Sequence, residues 1–236
     1  MNRPLPDSAR LAWWGTAWLR GAVDADRLLD AVRGEDAVHT VGGDPFLVGL
    51  GPLRTAGATA LGLALPAEGD PVGLGGPPAF NHAALEAGEA VVAVGAGRGL
   101  VPARVGGSVD WTVHAAERRQ LPDVGEADRG LRRALLETAN ALADLDVARW
   151  RPEVADELAD LRQPSAVTAP PGVPSLCLSL AGRALHALTV VDLALVDDGG
   201  ALTVLEAEQR RTALRPLAHA GRRALVAACS PEMWPD

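Results

Sequence analysis

The chain of 236 residues contains no lysine, no isoleucine and no tyrosine, and has only two phenylalanines and two cysteines. Each absence removes chemistry. Without lysine, no side chain forms a Schiff base with pyridoxal phosphate, and none reaches nucleotide phosphates from a P-loop or a kinase strand. Without tyrosine, no phenol serves as a general acid. All 22 basic side chains are arginine. The missing residues have AT-rich codons, whereas Ala, Gly, Pro, Arg and Val have GC-rich ones, so the composition points to a GC-rich bacterial genome. The same bias raises the counts of arginine, glycine and proline. Their abundance is therefore weak evidence for a phosphate loop or a basic patch.

Other absences bound the class of protein. No basic stretch followed by an apolar run opens the chain, and the most apolar segment, Gly172 to Val196, is interrupted by Arg183, His186 and Asp192. We expect a soluble, cytoplasmic chain with no membrane contact. The net charge of −8 argues against nucleic acid as a partner. Cys177 and Cys229 lie far apart in apolar surroundings, which predicts two buried free thiols and neither a disulfide framework nor a zinc knuckle.

What is present suffices for a core. Hydrophobic residues make up 48% of the chain, and with so few other aromatics the six tryptophans carry much of the bulk. The first helix is predicted from Ser8, a capping residue, to Arg20, with Leu11, Trp14 and Trp18 at helical spacing. A second runs from Asp24 to Val32. Residues 37–41 read as a strand, and Asp44-Pro45 as the cap and first turn of a helix ending near Ala56. Ala58–Leu65 is apolar on both faces and reads as a central strand. Asn81 caps a short helix to about Ala87. Strands follow at 90–94, 100–105 and 109–115, the first two joined by a hairpin at 95–99. Beyond residue 121 the pattern is helical, with predicted helices at about 126–145, 152–162, 174–196 and 201–228, the last bent at Pro216. The fold class expected is α+β: a mixed α/β region over 1–120 with a sheet of four to six strands, and a helical region over 121–236 sharing its core.

The longest aperiodic stretch, residues 66–80, is the first place to look for function, because structureless loops of more than about twelve to fifteen residues are uncommon inside compact domains. It follows a buried strand and precedes a helix, the position of ligand sites in open parallel sheets. Gly73, Gly75 and Gly76 permit close approach of a ligand, and Asp70, Asn81 and His82 supply polar groups. Asp70 and His82 are the acid/base candidates, with Asn81 orienting a substrate. His82 and Glu86 sit four apart, but no His-Glu-x-x-His or Glu-x-x-His occurs, so neither a metal nor a cofactor is expected. Cys177 and Cys229 lack the setting of a catalytic thiol. Trp13, Trp14 and Trp18 form an uncharged aromatic face between Arg10 and Arg20, a candidate interaction surface weighed against ordinary core packing. Arg211, Arg215 and Arg222 form a stripe on the last helix. It could pair with Glu153, Asp156, Glu157 and Asp160 or receive an acidic partner.

The run Leu63–Asn81 (LALPAEGDPVGLGGPPAFN) and the stretch Gln120–Asp128 resemble uncharacterised proteins of high-GC Gram-positive bacteria. The resemblance implies a bacterial, cytoplasmic protein and brings no activity with it. The leading functional expectation is a non-catalytic protein that binds a protein partner or a small molecule and can form a homodimer. The alternative is an enzyme acting on a small polar molecule at the loop 66–80.

Overall fold

The computed structural model describes residues 4–34, 36–117, 119–144, 167–196 and 204–235. Helix α1 (Asp7–Leu19) begins after Pro6, not under a Ser8 cap. Ser8 is already helical, and its backbone N–H donates to Glu89 Oε2 at 2.8 Å. The acceptor for this helix end thus comes from across the fold. Helix α2 (Ala25–Arg33) is capped by Asp24, which accepts from the Arg27 N–H.

Strands β1 (Val38–Val41) and β2 (Asp44–Pro45) form a hairpin. Its two turn residues, Gly42 and Gly43, have φ of 61° and 82°, which the tight two-residue hairpin requires and which glycine adopts without strain. Asp44 is therefore a strand residue, and α3 (Phe46–Thr55) starts with no side-chain cap. Strand β3 (Ala60–Ala64) leads through the loop to α4 (Pro78–Ala87). Then come β4 (Ala90–Val94), β5 (Arg98–Val105) and β6 (Ser108–Ala115). Helices α5 (Val124–Asp144), α6 (Ser175–Val196) and α7 (Val204–Ala228) follow, with a 3-10 turn at Pro231–Met233. The helix expected at 152–162, and the acidic face Glu153, Asp156, Glu157 and Asp160 on it, lie outside the described residues.

The sheet has six strands in the order β2-β1-β6-β5-β4-β3. Among the described residues only β1 and β6 pair in parallel; every other pairing is antiparallel. With the helical C-terminal part this is a mixed α+β fold.

Strand β3 departs from expectation. All five of its residues are buried, yet it stands at the sheet edge. Three of its outward-facing backbone groups are taken by side chains instead of a neighbouring strand. The Leu61 N–H donates to Thr16 Oγ1 at 2.8 Å, and the same hydroxyl lies 3.1 Å from the Leu61 carbonyl. Arg119 Nη1 donates to the Leu63 carbonyl at 2.6 Å, and the Leu65 N–H reaches the Val72 carbonyl. An edge closed in this way reads as a central strand from its apolarity alone.

One buried cluster joins Leu11 and Trp13 of α1, Leu63 and Trp111 of the sheet, Leu131 of α5, Leu185 of α6 and Leu225 of α7. A smaller cluster around Phe80 lies beneath α4. By length and composition α6 could cross a membrane. It packs on α7 and α5, with Cys177, Leu180, Ala184 and Leu185 buried, as expected of a bundle helix that is apolar nearly all round.

Candidate functional site

The loop after β3 is tied down along its length. Ala67 and Asp70 exchange two backbone hydrogen bonds of 2.9 Å around Glu68-Gly69. Gly73, with φ of 86°, lies so close to β3 that a Cβ there would be 2.6 Å from Ala64 Cα. Gly76 donates its N–H to Asn81 Oδ1 at 3.0 Å and accepts from the Glu117 N–H. Gly75 is exposed. Asn81 is thus spent on Gly76 and caps no helix, since α4 begins three residues earlier behind Pro77. His82 is exposed on α4. The open-sheet argument for this loop also falls away, because β3 and β4 are antiparallel and form no parallel crossover.

Of the predicted site residues in and after this loop, Asp70 is the one that lines a cleft. It is 5% exposed, and its partners come from α7 and not from α4. His219 Nδ1 lies 2.8 Å from Asp70 Oδ2, and Arg222 Nη2 donates to the same oxygen at 3.2 Å. The cleft, about 700 Å³, opens between this hairpin, α5 and α7. Arg133, Arg215 and Arg223 line it together with Glu68, Glu126 and Glu137. The wall therefore offers both signs of charge. A His whose Nδ1–H is held by a buried carboxylate keeps Nε2 as its second, basic nitrogen, which is the arrangement of an oriented general base.

Of the predicted arginine stripe, Arg215 and Arg222 line the cleft, while Arg211 pairs with Glu208 on the surface. His219, Arg223 and Arg133 were missed. The signal was there for the first two: 215, 219, 222 and 223 recur at three- and four-residue spacing, one face of a helix. Nothing local linked that face to Asp70, 149 positions away by the numbering from 219 to 70.

The tryptophan face turns inward. Trp13 and Trp14 are 0% and 4% exposed, and Trp13 Nε1 donates to the Ala228 carbonyl at 3.1 Å. Trp18 is half-buried under the Arg54 guanidinium, 4.2 Å from its ring centroid. The face expected as an interaction surface is occupied by the protein's own core, because α1 is the helix laid against β3.

Arg119 is a buried cation, with 2% of its side chain exposed. Besides Leu63, it donates to the Gly73 carbonyl at 3.2 Å and to Ser230 Oγ at 3.2 Å, and it pairs loosely with Glu232 at 3.4 Å. Burial pushes its pKa down and the Glu232 carboxylate opposes this. Among the described residues no group of three or more His, Cys, Asp or Glu is placed to hold a metal. Cys177 and Cys229 are free and buried. Burial raises both thiols, Cys177 to about 11, which keeps them protonated and unreactive at neutral pH.

These features define an α+β protein with a charged cleft between a strand-edge loop and a helical bundle. The chain belongs to the Rv1486c-like protein family: the N-terminal domain of that family matches residues 8–128 and the C-terminal domain residues 125–226. It is similar to the uncharacterised protein Rv1486c of Mycobacterium tuberculosis strain ATCC 25618 / H37Rv. The two are 29% identical over 292 aligned positions, covering 97% of this chain and 99% of the relative. The uncharacterised protein MT1533 of strain CDC 1551 / Oshkosh matches with the same identity and coverage. No solved structure matches.

Proposed function

We propose that the protein binds a small polar molecule carrying an anionic group in the cleft between the 67–70 hairpin, α5 and α7. The observation that carries this reading is the buried Asp70 carboxylate holding His219 and Arg222. It fixes the α7 face so that Arg215 and Arg223 stand preorganised at the cleft wall. The acidic residues in the same wall suit a ligand that also has hydroxyl or amino groups. The unpaired cysteines favour a reducing compartment, and we place the protein in the cytoplasm.

Thermal-shift screening against amino acids, dicarboxylates and sugar phosphates tests the reading. At least one class is expected to raise the melting temperature of the wild type, and the Arg215→Ala/Arg223→Ala double variant is expected to lose that rise. No shift with any class, or a shift unchanged in the double variant, would sink it.

The 2.8 Å contact between His219 and Asp70 favours a second reading, in which His219 takes a proton from the bound molecule. The two readings separate in turnover of the ligand found by the screen: an enzyme converts it and His219→Gln abolishes the conversion while binding remains, whereas a binder leaves it unchanged with or without His219.

A further inference from the structure

A cavity of about 560 Å³ lies beside the β4–β5 hairpin, apart from the Asp70 cleft, and Arg119 and Glu232 are in its wall. We propose that it is a binding site for a small monocarboxylate with an apolar tail, seated on Arg119 in the place that Glu232 now takes.

The argument starts from the guanidinium. Arginine presents five N–H donors, and its strongest contact is a paired bond from Nε and Nη2 to the two oxygens of one carboxylate. In Arg119 the Nη1 side is spent on the Leu63 and Gly73 carbonyls. The Nε–Nη2 side is only partly used. Nε is buried and has no hydrogen-bond partner among the described residues. Nη2 donates to Ser230 Oγ at 3.2 Å and reaches Glu232 only at 3.4 Å, the long end of a hydrogen bond. A buried cation whose carboxylate-binding edge is half used is costly, and a carboxylate meeting both nitrogens would satisfy it.

Glu232 occupies this edge as a built-in competitor. It sits on the 3-10 turn Pro231–Met233, and its side chain is 27% exposed, so it can swing to water while the turn stays in place. The remaining wall sets the ligand class. Val92, Val94, Ala116, Leu121 and Met233 are apolar, which favours a hydrocarbon tail. Glu117 at the rim disfavours a dianion such as a phosphate monoester. Gly62 makes room for Arg119: a Cβ there would be 1.9 Å from Nη2.

Isothermal titration of the full chain with sodium hexanoate, and with hexan-1-ol as the uncharged control, tests the proposal. Hexanoate is expected to bind, with hexan-1-ol at least about tenfold weaker. Glu232→Gln is expected to tighten hexanoate about tenfold, the scale of one charge-assisted contact. Glu232→Asp, whose shorter side chain withdraws the competitor while keeping its charge, should fall between. Val94→Phe, which fills the cavity without touching Arg119, should abolish binding. Absence of saturable hexanoate binding to a folded Glu232→Gln chain overturns the proposal. So does equal affinity for hexan-1-ol, which would mark a merely apolar hole, or an affinity that Glu232 substitutions leave unchanged.

Discussion

At the scale of single residues, the buried His39 shows how a hydrogen bond fixes a protonation state. Trp111 Nε1 donates to His39 Nδ1 at 3.1 Å, and His39 Nε2 lies 3.4 Å from Asp36 Oδ2. Indole nitrogen only donates, so Nδ1 carries no proton and the ring is the neutral Nε2–H tautomer. Burial also lowers the His39 pKa, and that of His186. The unfolded chain therefore binds more protons than the folded one once pH drops below the ordinary histidine value. Stability from these two groups is complete above about pH 6.5 and declines as pH falls from there to their folded pKa values. Asp36, whose pKa is lowered first by its hydrogen bond to Arg104, adds a further loss below about pH 4. The melting temperature of the wild type is expected to fall between pH 7 and 5. In His39→Gln/His186→Gln this part of the slope should flatten, and an unchanged slope would contradict the assignment.

At the scale of elements, β3 depends on two side chains that replace a missing neighbour strand. Thr16 reaches it from α1, and Arg119 from the segment between β6 and α5. Thr16→Val keeps the shape but leaves the buried Leu61 N–H without an acceptor, at a cost of about 1–3 kcal/mol. Thr16→Ser keeps the hydroxyl and should lose clearly less. Urea denaturation of the two variants checks this; equal losses would mean that the methyl group and not the hydroxyl matters. The closed edge also removes a row of free backbone groups that would otherwise template pairing with another chain.

At the scale of the whole molecule, helices from both halves contribute to one buried cluster. The bond from Trp13 to the Ala228 carbonyl links the first helix to the end of the last long one. Unfolding is therefore expected to be a single cooperative event. Urea transitions followed by tryptophan fluorescence and by far-ultraviolet circular dichroism should coincide, whereas two separated midpoints would show that the halves are independent. The Asp70–His219 cleft belongs to this scale as well, since it exists only because the hairpin after β3 meets α7.

Periodicity, caps and turn residues made much of the local structure legible: α2 under Asp24, the hairpin expected at 95–99, whose turn is 95–97 with positive φ at Gly95 and Gly97, and the apolar α6. These depend on neighbours within a turn or two. Asp70 was legible as a polar group in a long loop, but its partner was not. His82 stands close in sequence and His219 does not, yet the carboxylate bonds to His219. Trp13 and Trp14 illustrate the same limit, because a stripe at helical spacing says that a face is apolar without saying what covers it. The sequence by itself determined which chemistries are excluded, the α+β class and most element positions, since composition and short-range pattern act locally. Only the tertiary structure decided that β3 is an edge closed by Thr16 and Arg119, that Trp13 and Trp14 are core, and that the cleft is built by α7. Those outcomes rest on contacts between residues distant in the chain, where one buried polar group is satisfied by whichever partner the packing brings within about 3 Å.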